Sequence, residues 1–158
     1  MTVARMHALI LSLAMAFSVS AMDDPNKPAP KPEPKKELEQ ARAAIAQQDW
    51  AGAQGVLRQA VQRNPQDADY HNLYAYSMRK GANPSMDLVF RHYNEALRLN
   101  PKHLGAHEYI GEAYLMSGNV AKAKEHLAQL DKLCSVGCEE FAKLKKEIAG
   151  HEAQHAKK

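Results

Sequence analysis

The chain has 158 residues, a formal net charge of +3 and 25% charged residues. This length suits one ordinary domain, and basic residues interleaved with acidic ones throughout do not favour a nucleic-acid partner. Aromatic residues make up only 6% of the chain. The abundant Ala, Leu, Lys, Glu and Gln favour helix over strand, because unbranched side chains lose little rotamer freedom in a helix.

Residues 1–21 predict a secretory signal peptide. Arg5 precedes an apolar run over residues 8–19, and Val19 and Ala21 are the small residues that a signal peptidase requires before cleavage after Ala21. The run is about a dozen residues long, too short for a permanent helix across a hydrocarbon core of roughly 30 Å. We therefore expect no membrane span after cleavage, and a periplasmic, oxidising location. The alternative is an uncleaved N-terminal anchor.

Residues 22–36 predict a disordered linker rich in Pro and Lys. Five of the eight prolines of the chain lie in this segment. Proline blocks helix and sheet and leaves an extended, polyproline-like chain. We interpret the segment as a spacer before the folded domain, and recognition by a proline-binding module is the alternative.

Residues 37–150 contain three similar segments with apolar residues at helical spacing. The clearest copy holds Ile110, Gly111, Tyr114, Gly118, Asn119, Val120, Ala123, Leu127 and Leu130. This order resembles the tetratricopeptide repeat, with L-G-x-x-Y in a first helix, a Gly-Asn/Asp turn and A-x-x-x-F in a second helix. In such a repeat Gly111 and Ala123 would let two antiparallel helices approach closely, and Gly118 would take the backbone conformation that ends the first helix.

The two earlier copies of the repeat are more degenerate. The first supplies Asp49, Trp50, Ala53, Leu57, Ala60 and Pro65, and the second supplies Tyr74, Ala75, Met78, Val89, Tyr93, Ala96 and Pro101. The closing prolines are 36 residues apart, against a usual repeat length of about 34. We assign the surplus to a lengthened turn at residues 81–85. The first copy has Ala41 and Ala44 in place of L-G-x-x-Y, as expected of a terminal repeat.

A further helix is predicted after the third copy. Phe141, Leu144 and Ile148 share one face, and Glu and Lys occupy the other, so this helix would cover the open end of the last repeat. The resemblance thus implies an all-α fold, an α-solenoid of about three helix–turn–helix units plus a C-terminal capping helix. Residues 151–158 are expected to form a flexible tail. An unrelated helical bundle with the same apolar stripes is the alternative.

Cys134 and Cys138, followed by His151 and His155, fall within the spacing range of a two-Cys, two-His zinc finger. A helix from Glu139 onward would carry His151 about 18 Å from Cys138, at about 1.5 Å per residue, whereas zinc ligands lie about 2.0–2.3 Å from one point. The C-x-x-x-C spacing between two helices also differs from the C-x-x-C redox motif beside a strand. We therefore predict a structural disulfide between the third repeat and the cap.

Two histidine pairs leave a metal site open as an alternative. His103 and His107 are one helical turn apart, as are His151 and His155. In the competing interpretation His107 packs at an aromatic position of the repeat, while His151 and His155 belong to the solvated tail. We expect no bound metal and no cofactor.

The resemblance also implies a concave groove built from the first helix of each repeat, which usually binds an extended peptide or a partner helix. The groove positions carried over are Arg42, Ile45, Asn72, Tyr76, Arg79, Lys80, Glu108, Glu112 and Leu115. Arg79 and Lys80 could bind a carboxylate and Glu112 a cation. The carboxylate clamp of the family is not reproduced, because Leu73 and Tyr109 stand where the clamp has polar residues.

These patterns predict a non-enzymatic scaffold or adaptor in the periplasm that binds another protein or peptide. The sequence contains no nucleophile elbow, no glycine loop for phosphate and no H-E-x-x-H motif. The alternative function is a small periplasmic metal-binding or redox accessory protein that uses the histidines or cysteines.

Overall fold

A computed structural model describes residues 35–156 of the chain. This part forms seven helices: α1 (Lys36–Ala46), α2 (Trp50–Arg63), α3 (Ala68–Lys80), α4 (Met86–Leu99), α5 (Leu104–Met116), α6 (Val120–Leu133) and α7 (Glu139–His155). None of these described helices has the length and apolar character needed to cross a bilayer. The predicted signal peptide and nearly all of the predicted linker lie outside the described residues.

The helix ends follow from short polar residues and from turns with positive φ. Asp49 and Asn119 cap α2 and α6, since their side chains accept hydrogen bonds from backbone N–H groups of the first turn. Gly118 has a φ of 74° in the turn between α5 and α6, which confirms the conformation predicted for it. Gln48 takes a φ of 58° in the matching turn of the first repeat, although it has a Cβ.

The helices pack as consecutive pairs, α1 with α2, α3 with α4 and α5 with α6, and each pair contacts the next. The first helices of the pairs also touch in series, α1 with α3 and α3 with α5, and α7 continues this series against α5. The turns within the first and third pairs have three residues, at 47–49 and 117–119, whereas the second has five, at 81–85. The two additional residues account for the wider proline spacing, as predicted.

The core consists of three clusters that each join one helix pair to the helix that follows it. In the first, Leu57 of α2 packs with Tyr70 of α3. In the second, Tyr93 of α4 is fully buried against α5. In the third, Leu130 of α6 packs with Leu144 of α7. Because burial is shared between neighbouring repeats, the stack is a solenoid and not an unrelated bundle, and the predicted fold class is confirmed.

The cap differs from the sequence expectation in two details. A Cβ at Gly111 would lie 2.6 Å from Leu144 Cδ2, so the close approach at this glycine is made to α7, and not to α6 as the repeat pattern suggested. The helix also runs to His155, whereas the sequence placed a tail from residue 151 onward. Residues 151–155 stay helical beside α6, where Lys124 forms an ion pair with Glu152 at 2.6 Å.

Candidate functional site

A pocket of about 530 Å³ opens on the face shared by α3, α5 and α7. We call it the groove. Its charged, aromatic and apolar lining includes Tyr76, Arg79 and Lys80 of α3, Glu108, Tyr109, Glu112, Leu115 and Met116 of α5, and Lys143, Glu147 and His151 of α7. The first helices of two repeats therefore form its floor, and the polar face of the capping helix forms one wall.

Aromatic rings form a row along this face. The Trp50 and Tyr76 rings meet edge to face with centroids 6.0 Å apart, and the Tyr76 and Tyr109 rings follow with centroids 4.5 Å apart. The row crosses from the first repeat to the third. Tyr and Trp combine a flat apolar surface with a polar group, which suits them to contacts with another molecule.

One buried ion pair lies in the floor of the groove. The Arg79 side chain is 5% exposed and donates to the Glu112 carboxylate. Its guanidinium also lies 3.4 Å from the Tyr93 hydroxyl, and burial raises the pKa of that phenol. The sequence predicts that Arg79 and Glu112 bind opposite charges on a partner, but in the structure they bind each other.

A second buried acid, Glu108, has no such cation. The residue is 4% exposed, and burial raises the pKa of its carboxyl to about 7, although Lys143 acts in the opposite direction. Three neighbouring carboxylates raise the pKa further: Glu112, Glu139 and Glu140. The groove therefore contains one acid whose charged form the protein itself leaves poorly stabilised.

Comparison with known families identifies the repeats. The sequence profile of the Tetratricopeptide repeat family matches residues 38–81 and 91–134, together more than half of the chain. The chain belongs to the tetratricopeptide repeat family. The match begins at the residue where helical spacing starts in the sequence and ends at Cys134, before the capping helix.

Solved structures share this fold at low sequence identity. The translocator chaperone SycD of Yersinia enterocolitica is 13% identical, with 76% of this chain and 83% of SycD covered and a TM-score of 0.65. The TPR2B domain of yeast Sti1 is 17% identical, with 75% and 98% covered and a TM-score of 0.65. SycD with a peptide of the translocator YopD is 17% identical, with 77% and 91% covered and a TM-score of 0.62. No curated protein matches the chain.

Some of the predicted groove residues of this tetratricopeptide repeat protein line the groove, and the others lie outside it. Those that line the groove are Tyr76, Arg79, Lys80, Glu108, Glu112 and Leu115. Ile45 lines a second pocket beside it, with Trp50, and shares Tyr76 and Lys80 with the groove. Arg42 is exposed and lines neither pocket. Asn72 of α3 is buried, and its side chain lies against the start of α5 near Gly105. The stacking of the third repeat on the second therefore covers it.

Sequence reasoning missed the wall that α7 contributes. Lys143, Glu147 and His151 lie on one stripe of α7 at steps of four, beside the buried Leu144 and Ile148. The spacing was visible in the sequence. It looked like an ordinary solvated face, because the pattern does not show that a helix packs beside another polar surface.

The two cysteines lie where the sequence placed them, at the junction of the third repeat with the cap. Cys134 follows α6, Cys138 precedes α7, and their sulfur atoms are 2.04 Å apart. Gly137 has a φ of 54° in the intervening turn, a conformation that glycine adopts without strain. The unbroken α7 separates these cysteines from His151 and His155, and this geometry is not that of a zinc finger.

Two further histidine contacts occur in the second repeat and occur again in the third. His71 Nδ1 lies 2.9 Å from His92 Nδ1, and its Nε2 lies 3.0 Å from the Pro65 carbonyl oxygen. His107 repeats both contacts at the same distances, with His126 and with Pro101. Since a carbonyl only accepts, Nε2 of His71 and of His107 carries the proton, and their Nδ1 atoms accept from the second ring.

The alternative metal pairs are engaged in local contacts. His103 caps α5, since its Nδ1 accepts from the Ala106 backbone N–H, and its Nε2 faces Asp69 at 3.2 Å. This contact lowers the pKa of the Asp69 carboxyl. The His151 and His155 rings stack with centroids 4.1 Å apart. Within residues 35–156, no three His, Cys, Asp or Glu side chains converge as a metal site would require.

The histidine pairs predict a loss of stability in acid. Burial lowers the pKa of His92 and of His126 to about 4. As pH falls below the ordinary value of 6.5, the unfolded chain takes up protons that the folded chain does not, so stability decreases until the folded pKa is reached. Allowing for screening of these half-buried rings, we expect a loss of about 2 kcal/mol between pH 7 and pH 5.

The measurement is chemical unfolding at both pH values, compared with a His92→Gln/His126→Gln variant. Nearby titratable or charged groups are His71, Arg91 and Glu95 at the first ring and His107, Lys122 and Glu125 at the second. The comparison between variants is necessary because Glu108, with a raised pKa, stabilises the folded chain as pH falls. An equal pH response in both proteins would contradict the prediction.

Proposed function

We propose that the protein is a scaffold or adaptor whose groove binds a peptide segment or a helix of another protein. The aromatic row from Trp50 to Tyr109 supports this proposal most directly, because it forms a continuous aromatic surface across three repeats. The groove volume of about 530 Å³ is also within the range of binding pockets. Proteins of this family are generally non-enzymatic scaffolds, and we propose a binding role for this chain as well.

The structural neighbours are consistent with this role. SycD has been solved with a peptide of YopD, and the yeast Sti1 domain in a complex with pHsp70. At 17% identity these likenesses concern the fold, so the ligand of this chain follows from its own groove residues.

The test is selection of binding peptides from a random library by the purified chain. Peptides selected by the wild type are then measured by fluorescence anisotropy against a Tyr76→Ala/Tyr109→Ala variant. We expect affinity to fall at least about tenfold, as for aromatic interface residues. Leu88→Ala, an exposed apolar change on α4 outside both pockets, is the matched control and should bind as the wild type does. Equal binding by all three proteins would exclude the groove.

We also propose that the protein works in the periplasm. The proposal is supported by the predicted signal peptide at residues 1–21 and by the paired cysteine sulfurs. Expression in a bacterial host, followed by fractionation and mass spectrometry, should give a periplasmic chain that begins at Met22. A cytoplasmic chain that retains Met1 would contradict the proposed export.

A disulfide between Cys134 and Cys138 is expected in the exported chain. A loop this short stabilises the fold by about 2 kcal/mol in the chain-entropy treatment. Cys134→Ser/Cys138→Ser should therefore unfold at lower denaturant concentration, and dithiothreitol should affect only the wild type. The measurement is urea unfolding with and without the reductant. Alkylation of both thiols in unreduced periplasmic protein would disprove the pairing.

A further inference from the structure

Glu108 is a buried acid without a partner in the described part of the chain. It lies on α5 and lines the groove, yet only 4% of the residue is exposed. Across residues 35–156, its carboxylate takes part in no hydrogen bond and no ion pair. A carboxylate with little access to water is poorly stabilised unless it is paired. The groove therefore presents an unmet requirement for a cation.

Two cations near Glu108, Arg79 and Lys143, are already engaged. Arg79 binds Glu112 in the floor of the groove. Lys143 of the α7 wall forms an ion pair with Glu139 at 2.7 Å, one helical turn earlier on the same helix. Lys80 also lines the groove, but it is not among the charges that act on Glu108. Because Arg79 and Lys143 have carboxylate partners of their own, a cation carried by a molecule in the groove would supply the charge that Glu108 lacks.

The surroundings of Glu108 fit the stem of a long basic side chain as well as its charge. Tyr109 follows Glu108 on α5, and the Tyr76 ring packs against Tyr109 with centroids 4.5 Å apart. Methylene groups of Lys or Arg pack on such rings, and the charged end is attracted to the ring face. The two tyrosine rings and the acid therefore offer both an apolar surface and a negative charge to one basic side chain.

We propose that the groove selects a partner segment carrying a Lys or Arg, whose charge pairs with the Glu108 carboxylate while its methylene stem packs against Tyr76 and Tyr109. The inference rests on the proposed peptide-binding function and specifies the chemistry of its ligand. It predicts the opposite preference to a carboxylate clamp. An acidic side chain at the same ligand position would face Glu108 and be rejected by like charge.

The experiment uses arrays of acetylated, amidated nonapeptides in which the central residue is Lys, Arg, norleucine or Glu and the other positions are randomised. Norleucine retains the methylene stem without the charge. Binding of the full purified chain is compared with that of Glu108→Gln and of Glu125→Gln, an exposed acid on α6 that serves as the matched control. Pairing a buried charge should favour the basic pools over norleucine at least about tenfold in the wild type.

We expect Glu108→Gln to lose that preference while still binding the norleucine pool, and Glu125→Gln to keep it. Glu108→Gln should also melt at or above the wild-type temperature, because it removes an unpaired buried charge, so a loss of preference would not reflect unfolding. A wild type that binds all pools equally, or a Glu108→Gln variant that keeps the preference, would overturn this inference and leave the proposed function standing. Absence of binding to every pool would overturn the proposed function itself.

Discussion

Leu144→Ala is expected to lower the free energy of unfolding by about 3 kcal/mol, within the range for a buried Leu whose cavity does not collapse. Leu144 is fully buried, and it packs in the third core cluster and against the Cα of Gly111. Helix α7 is the last described helix of the stack, and Leu144 is one of its two buried residues, with Ile148, so its loss removes a large part of the apolar contact of this helix. Urea unfolding followed by circular dichroism measures the effect.

The matched control is Lys146→Ala, an exposed position on the same helix, which should leave the midpoint of unfolding nearly unchanged. Detachment of α7 would also remove the groove wall that carries Lys143 and Glu147. Peptides selected by the wild type should therefore bind Leu144→Ala more weakly. A small loss of stability, about 1 kcal/mol or less, would mean that α7 contributes little to the stack.

Glu112→Ala is expected to lower the free energy of unfolding by about 2–3 kcal/mol, because it leaves the Arg79 guanidinium buried without its carboxylate. The value lies at the lower end of the range for buried pairs, since Glu112 is 23% exposed and water can enter at its side. Arg79 cannot avoid the cost by losing its proton. Urea unfolding measures this loss, and the same measurement on Arg79→Met, Glu112→Leu and Arg79→Met/Glu112→Leu provides a double-mutant cycle.

The double variant should be more stable than the sum of the two single changes predicts, because it removes both charges at once. Glu95→Ala is the matched control: Glu95 also pairs with an arginine, Arg98, but on the surface, and its loss should change stability little. Additive effects of the two single changes would show that Arg79 and Glu112 are not coupled.

Local features of the sequence were sufficient to predict the repeat architecture. The apolar residues that helical spacing placed in the core include Leu57, Val89 and Tyr93, and all three are fully buried. The lengthened turn at residues 81–85 was assigned from the spacing of the prolines alone. These predictions succeeded because each depends on residues within one helix or one turn, where spacing determines which side chains share a face. The position of Gly118 in a turn of positive φ is of the same kind.

The composition of the candidate site depended on contacts between repeats. Arg79 and Glu112 lie 33 positions apart, and only the stacking of α3 on α5 shows that they bind each other. Asn72 and Glu108 stand at corresponding positions, 36 residues apart, yet the start of α5 covers Asn72 while Glu108 faces the groove. The recurrence of His71 at His107, also 36 residues apart, was a signal that could have predicted the histidine pairs.

The amino-acid sequence was thus enough to identify paired helices, their order and the apolar face of each, because these follow from periodicity over a few turns. The packing of the stack decided which polar side chains face the groove, which neutralise one another and which acid remains unpaired. The reason is that a polar helix face has the same sequence pattern whether it contacts water or another helix. Only the superhelical stacking of repeats brings charges from distant positions together.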